Sequence, residues 1–583
     1  MHQAMTEPGI FMLRGRSPDS GREGSLTLKR ETISYPKDKV LILVVTPLVL
    51  YVLLLPLLPL TEPDEARYSD IPSSMNQSGD YIIPRLNHVV YLEKPPFAYW
   101  VTAFFFRLFG EGTFSSRLFS GLCAWGCVFL VYRIGNTLYD ERAGLHSAAV
   151  LSTSLYPFIL GRLNLLDMPL TFLLGLSIWS GYRYFRTGSE KKRWLYLFYL
   201  FAALAFLTKG LIGILFPLLI LILYLLSEKA WQSLPKLFHP LGIVLFAAIV
   251  SPWFILVQRA YPHFFQYFFV RQHFERYTTD AYGSVHFLYY IPVILFGMIP
   301  WLAHLVEALV RPGTRKVFRE TVRHGLLLSW MGFVFLFFSI SSSKMATYIA
   351  PLFLPLAVVV GRTLGIEETE NPSPQRRSHR LHTRVLILAQ SILLAVALWI
   401  PPFLRSANVP LTEWWLLVLL PTIVILLIPF LIARAQAERN RFLVLYVLSA
   451  VFLAASILPL SRYLRPYKAS LPVAEAIKRL VPAGHDLYQY RIYLRGIPFY
   501  CKIRTPIVGR PDELATGRDL LPAEEKARYF LRVDQFYELG KERGELYVVT
   551  KGKDKIEELK GRAPSLDLLW RNETFSLFRL RFG

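Results

Sequence analysis

The stretch T-E-P-D-E-A-R-Y-S at Thr61 to Ser69, with Y-L-E-K-P-P following at Tyr91 to Pro96, interrupts a chain otherwise built of long apolar runs. It stands directly after the first of these runs, at 39 to 60, and gathers Asp64, Glu65, Arg67, Glu93 and Lys94 beside Tyr68 and Tyr91. Ionisable groups next to hydrocarbon are costly unless they serve a site or face water. A plain connector explains such a cluster poorly, so the loop is read as the active site and the apolar runs as membrane spans.

The composition agrees. Of 583 residues, 53% are hydrophobic and 15% aromatic, and only 18% are charged, against about 25% for a soluble globular chain. The reading is an α-helical polytopic membrane protein. A formal net charge of +23 does not point to nucleic acid, because Lys and Arg fall mainly in short segments between apolar runs, where the positive-inside rule accounts for them. The three cysteines, Cys123 and Cys127 on one apolar helix and Cys501 far downstream, provide no disulfide framework or zinc-type cluster. Residues 1–38 are polar and basic and lack a secretory signal pattern, so the first span is expected to be an uncleaved anchor behind a cytoplasmic segment.

At about 17 to 25 apolar residues per span, helices are expected near 39–60, 114–135, 143–160, 168–185, 194–209, 211–227, 238–257, 286–309, 325–341, 347–365, 385–404, 413–433 and 442–461, thirteen in all. With the basic N-terminus inside, the segments around Arg186 to Arg193, Arg311 to Arg323, Arg362 to Arg384 and Arg434 to Arg441 share the inner side. The loops 61–100 and 258–285, the turn at 341–347 and everything after about 462 then share the outer side. Three parts follow: 1–38, a transmembrane domain at 39–461, and an outer domain at 462–583. In the last of these, helices are expected at Val473 to Leu480 and Glu524 to Leu539, and strands at His485 to Tyr493, Glu545 to Thr550 and Thr574 to Leu580, making a small α/β unit.

Four outer elements carry residues suited to chemistry. In the first loop Asp64 and Glu65 are candidate catalytic carboxylates, and Arg67 and Lys94 can neutralise phosphate. Asp167, in R-L-N-L-L-D-M-P at Arg162 to Pro169, is either an ordinary helix cap or a second acid of the same site. V-R-Q-H-F-E-R-Y at Val270 to Tyr277 offers Arg271 and Arg276 for a phosphate and aromatic rings for a lipid tail, while His273 with Glu93 forms a weak metal pair. In S-S-S-K-M-A-T-Y at Ser341 to Tyr348, Lys344 and Tyr348 lie four apart, on one face if helical; they serve either the site or simple interfacial anchoring. No Walker A, G-x-G-x-x-G or H-E-x-x-H pattern occurs, so the energy for outer-face chemistry must arrive with an activated, membrane-borne substrate.

In order along the chain, P-D-E-A-R-Y, G-D-Y-I-I-P at Gly79 to Pro84, Y-L-E-K-P-P, L-D-M-P at Leu166 to Pro169, H-F-E-R-Y, Y-Y-I-P at Tyr289 to Pro292 and S-K-M-A-T-Y-I-A-P resemble the motifs of the bacterial aminoarabinose (4-amino-4-deoxy-L-arabinose) lipid A transferases. These are relatives of the protein O-mannosyltransferases within the C-type glycosyltransferase superfamily. The resemblance implies a C-type glycosyltransferase fold of about thirteen spans with a periplasmic α/β domain. It further implies a multi-pass protein of the bacterial inner membrane, with its active site facing the periplasm. A polyprenyl (undecaprenyl) phosphate sugar donor is implied, its phosphate held by Lys94, Arg276 and Tyr348 with Tyr91 and Arg67 close by. Asp64 is then the principal catalytic carboxylate and Asp167 a second acid. Some members bind zinc, for which Glu93 and His273 are the matching residues; the chemistry itself needs no cofactor. Ala66 and Ser69 depart from the commonest form of the first motif, and Tyr282 to Val285 lacks a His often found there.

The expected activity is inverting transfer of 4-amino-4-deoxy-L-arabinose or a similar sugar to lipid A or a related envelope acceptor. A protein or core-glycan transferase of mannosyl or galacturonosyl type using the same kind of donor is the alternative within the class. A lipid-linked sugar transporter is the alternative outside it, disfavoured because the ionisable residues gather at one face.

Overall fold

The computed structural model describes residues 36–187, 192–275, 286–310, 312–367 and 438–582. The expected spans at 385–404 and 413–433 lie outside the described residues, as does Arg276, and His273 is described by its backbone alone. Each of the other eleven expected spans coincides with a helix or a broken pair. These are Pro36–Leu57, Thr113–Leu138, Glu141–Thr153 with Leu155–Leu160, Asp167–Thr187, Arg193–Lys209, Ile212–Ser227, Pro240–Ala260, Tyr290–Gly297 with Leu302–Val310, Gly325–Ile340, Ala346–Leu364 and Glu438–Ala455. Among the described residues, five helices are long and apolar enough to cross a bilayer, and Gly325–Ile340 joined to Thr314–Val322 across a 78° bend makes a sixth. Others, such as Ile212–Ser227 at 16 residues, fall short of the roughly 20 residues that a hydrocarbon core asks of one straight helix.

Small residues and buried guanidiniums lock this bundle together. A Cβ on Gly121 would collide with the Tyr51 carbonyl, so the glycine is what lets helices Pro36–Leu57 and Thr113–Leu138 touch backbone to backbone. Carbonyls in the last turns of the first helix and just beyond its end at Leu57 call for donors from outside it. Two fully buried arginines supply them: Arg162 donates to Leu50 O at 2.6 Å and to Leu54 O, and Arg117 to Leu58 O at 2.5 Å and Pro59 O at 2.7 Å.

The first loop is more ordered, and longer, than the expected 61–100. Six residues after the first helix stops at Leu57, Pro63 stands at the N-cap of the helix Asp64–Ser78, with two acids in the first turn where the helix dipole favours them. Gly79 at φ +72 closes it. Strands β1 (Arg85–Leu86) and β2 (Val89–Val90) form a hairpin whose turn residues Asn87 and His88 both have positive φ. Helix Phe97–Phe109 follows before the second span begins at Thr113.

The C-terminal α/β unit contains β3 (Leu487–Tyr490), β4 (Ile507–Val508), β5 (Phe530–Leu531), β6 (Glu545–Lys551), β7 (Ser565–Arg571) and β8 (Phe575–Arg581) in the order β5-β4-β3-β6-β8-β7. The first four are mutually parallel, and β8 and β7 add antiparallel. The helix expected over Glu524 to Leu539 is two helices, Ala523–Tyr529 and Val533–Arg543, split by β5. This unit is seated on the first loop. The Glu62 carboxylate accepts from the backbone N–H groups of Gly496 at 2.7 Å and Arg495 at 3.1 Å. Asn87 donates to Thr505 O at 2.9 Å and accepts from Thr505 N at 3.0 Å.

Candidate active site

The loop is held from beneath by one buried ion pair. Glu65, 1% exposed, receives Arg117 Nε at 2.7 Å and Nη2 at 2.8 Å, Thr61 N and Oγ1 at 3.0 and 2.8 Å, and Asn164 N at 2.9 Å. Burial disfavours its charge, but Arg117 and these donors outweigh that and hold the carboxyl below its usual range. Five donors saturate both oxygens. Held in this way, Glu65, expected among the catalytic acids, fixes the start of helix Asp64–Ser78 and thereby the position of Asp64.

Asp64, one residue earlier, is partly open to solvent and pairs with Arg67 at 3.1 Å. Arg67 turns its other nitrogen to Glu513 of the C-terminal unit, which also takes Arg495 at 2.7 Å, and its guanidinium lies over the Tyr68 and Tyr91 rings. Burial opposes its charge, yet Tyr91, Glu513, Tyr68 and Asp64 hold it well above the ordinary arginine value. Asp167 is buried at the first turn of Asp167–Thr187 and pairs with Lys209 Nζ at 2.7 Å. Lys209 ends its own helix against Gly210 at φ +86, and its ammonium stands 4.8 Å from the Tyr348 ring centre. Asp167 is therefore more than a local cap.

Tyr68 joins these groups. Burial pushes its phenol up, and the carboxylates of Asp64, Asp167 and Glu93 push it further, while Arg67 opposes them. Tyr68 also packs against a cluster that holds Tyr91, whose hydroxyl reaches Glu93, and Leu166, which precedes Asp167, while Arg67 over its ring carries Asp64. Tyr91 donates its hydroxyl to Glu93 at 3.0 Å, and Lys94 donates to the Glu93 carbonyl at 3.1 Å. From the second outer loop, Tyr267 is pushed up to about 12 by burial and then by Glu93, with Arg271 opposing; it accepts from Gln272 at 3.0 Å. Tyr91, Glu93, Tyr267, Glu513 and Leu520 line a narrow crevice between the two loops and the C-terminal unit, with room for about one water.

Lys344 donates to Ser341 O at 2.6 Å ahead of the 3₁₀ segment Ala346–Leu352, so it does not share an α-helical face with Tyr348 as the spacing suggests. Arg271 is exposed on Gln266–Glu275. Among the described residues, no three His, Cys, Asp or Glu side chains gather, so those residues alone do not furnish a three-ligand zinc site. Sequence reading passed over Lys209, whose signal was a lone cation between two apolar runs, and Glu513, whose signal was nil.

A family profile described as dolichyl-phosphate-mannose-protein mannosyltransferase matches residues 93–256. An undecaprenyl phosphate-alpha-4-amino-4-deoxy-L-arabinose arabinosyl transferase of Aeromonas hydrophila is 34% identical over 319 residues, covering 53% of this chain and 57% of that protein. The corresponding protein of Erwinia tasmaniensis is 31% identical over 356 residues, covering 60% and 64%. The match thus spans little more than half the length of these relatives. The crystal structure of ArnT from Cupriavidus metallidurans bound to undecaprenyl phosphate superposes with a TM-score of 0.79 at 24% identity, over 94% of this chain and 98% of that one. Its apo form gives 0.78 at 25% identity, over 93% and 98%. The resemblance carried by the motifs is borne out: this chain is similar to the aminoarabinose arabinosyltransferases in sequence over about half its length, and has the ArnT-like C-type glycosyltransferase fold.

Proposed function

We propose that this chain is a glycosyltransferase that moves 4-amino-4-deoxy-L-arabinose or a similar sugar from undecaprenyl phosphate to a phosphate of lipid A or a related envelope acceptor, with inversion. The observation that carries it is the chain of contacts that links the acids through Tyr68 and its neighbours: Asp64 pairs with Arg67, Glu93 accepts from Tyr91, and Asp167, beside Leu166 of the same cluster, pairs with Lys209. In this reading the donor phosphodiester meets the cations Lys94, Lys344, Arg271 and Arg276 and the Tyr348 hydroxyl, and the cations balance the second negative charge that the polyprenyl phosphate gains as it leaves. An oxygen of the acceptor attacks the anomeric carbon as its bond to the donor phosphate breaks, and the polyprenyl phosphate leaves with the bonding pair. An acceptor that is already a phosphate needs no base, so Asp64 orients Arg67 and balances charge developing at the sugar. Thirteen spans in an inner membrane, with site and C-terminal unit facing the periplasm, complete the proposal. It is supported by the basic residues that flank the opposite helix ends.

The mannosyltransferase profile keeps one second reading open, transfer from the same class of donor to protein or core glycan. Mass spectrometry of lipid A and envelope glycans, from cells with the wild-type chain or Asp64→Asn, tests both. An aminopentose increment on lipid A that the variant lacks is the expected result. Unchanged lipid A beside altered protein or polysaccharide glycans supports the second reading. A fully active Asp64→Asn overturns the site.

A further inference from the structure

The C-terminal sheet carries a second place suited to phosphate. From β3 the chain adds β4 and then β5 on one side, and only afterwards lays β6 on the other side of β3, so the parallel sheet reverses its winding between β3 and β6. In open parallel sheets, ligands bind in the crevice beyond the carboxyl ends of the strands at such a reversal. The pairings Gln489 with Val549, Tyr490 with Val508, and Val508 with Leu531 set the register of that edge. One or two residues past those pairs stand Lys551, Arg491, Arg510 and Arg532, one basic residue per strand. All four are exposed. At about 4.8 Å between strands the row is roughly 15 Å long. Arg491 is paired with Glu558 at 2.7 Å, whereas Lys551, which lies over the Phe575 ring, Arg510 and Arg532 form no ion pair among the described residues. Gly509 and Gly552, at φ +102 and +96, turn the chain at two points of the rim; the Arg491 side chain lies against the first and the Asp554 carboxylate against the second.

The row is tied to the candidate active site. The strand-end loop that begins at Arg491 reaches Arg495, and the one holding Arg510 reaches Glu513; these two residues form the ion pair that meets Arg67. Three residues of chain span at most about 11 Å, and four about 14 Å. Arg491 and Arg510 are thus within one to two nanometres of the ion pair at Arg67, the reach of a ligand that carries two phosphates that far apart.

We propose that Lys551, Arg491, Arg510 and Arg532 bind a second phosphate of the acceptor glycolipid and so give the enzyme a preference for bis-phosphorylated acceptors. The proposal rests on the transferase reading and names the acceptor class of that site. The test uses the full chain in nanodiscs, wild type and Arg510→Glu/Arg532→Glu, with bis-phosphorylated and monophosphoryl lipid A as acceptors. The KM for the bis-phosphorylated acceptor is expected to rise at least about tenfold in the variant, since even one lost charge-assisted contact is of that scale. Its kcat, and both constants for the monophosphoryl acceptor, are expected to stay as in wild type. Equal changes for both acceptors, or none, overturn the rim. Should wild type transfer to neither lipid, the transferase reading fails by itself, and direct binding of the two lipids decides the rim: loss of preference for the bis-phosphorylated form in the variant supports it, and equal binding overturns it.

Discussion

Asp64 and Glu65 are adjacent carboxylates with opposite fates, and the difference is made by Arg117, fifty-two positions away from Glu65. Glu65→Gln leaves a fully buried guanidinium without its counter-charge, a type of loss that costs about 3 to 5 kcal/mol. We expect this variant to melt well below wild type in detergent and to accumulate poorly. Asp64→Asn should keep the wild-type Tm and lose transfer. Equal melting temperatures for all three would remove the structural role given to Glu65. The motif showed that this loop was chemical, because acids and arginine directly after an apolar run have few other uses. It did not say which acid faced inward, since helix Asp64–Ser78 points the two apart and the buried partner comes from another span.

Among elements, the helices were legible wherever apolar runs were long, whereas breaks at a serine, such as Ser154, left no signal that Pro or Gly would have given. Helix Phe97–Phe109 was missed because its aromatic run reads as the tail of the Y-L-E-K-P-P loop. Strands β4 and β5 were missed because two residues carry no alternation to detect. The join between Arg193–Lys209 and Ile212–Ser227 matters most for function: it delivers Lys209 to Asp167 and beneath the Tyr348 ring. Lys209→Met should lower kcat roughly a hundredfold, the scale of removing one preorganised charge, while Lys209→Arg recovers part of it. Steady-state transfer assays at saturating donor measure both, and wild-type kcat in Lys209→Met would leave the pair a structural one.

At the scale of the whole molecule, the C-terminal unit closes over the first loop through contacts between residues more than four hundred positions apart, such as Asn87 with Thr505 and Glu62 with Gly496. No local pattern announces pairs so distant, which is why this interface, and Glu513 with it, was invisible in the sequence. One of its groups also makes it pH-sensitive. Asp70, 5% exposed, accepts from Asn87 N at 2.8 Å and so aims Asn87 at Thr505. Burial lifts its carboxyl from 3.8 to about 7, against the pull of the Asn87 N–H and Lys502 and with Glu111 and Glu62 adding to the rise. Between those values the folded chain holds a proton that the unfolded chain has released. The stabilisation is therefore complete below about pH 4 and lost as pH rises through 7, by roughly 4 kcal/mol for a shift of this size. Asp70→Asn keeps an oxygen for the Asn87 N–H and has nothing to ionise. The variant should match wild type near pH 4, melt above it at pH 8, and lack the wild-type decline between. Melting curves that stay parallel across that range would show that Asp70 is ionised in the folded protein throughout, and that the interface does not titrate through it.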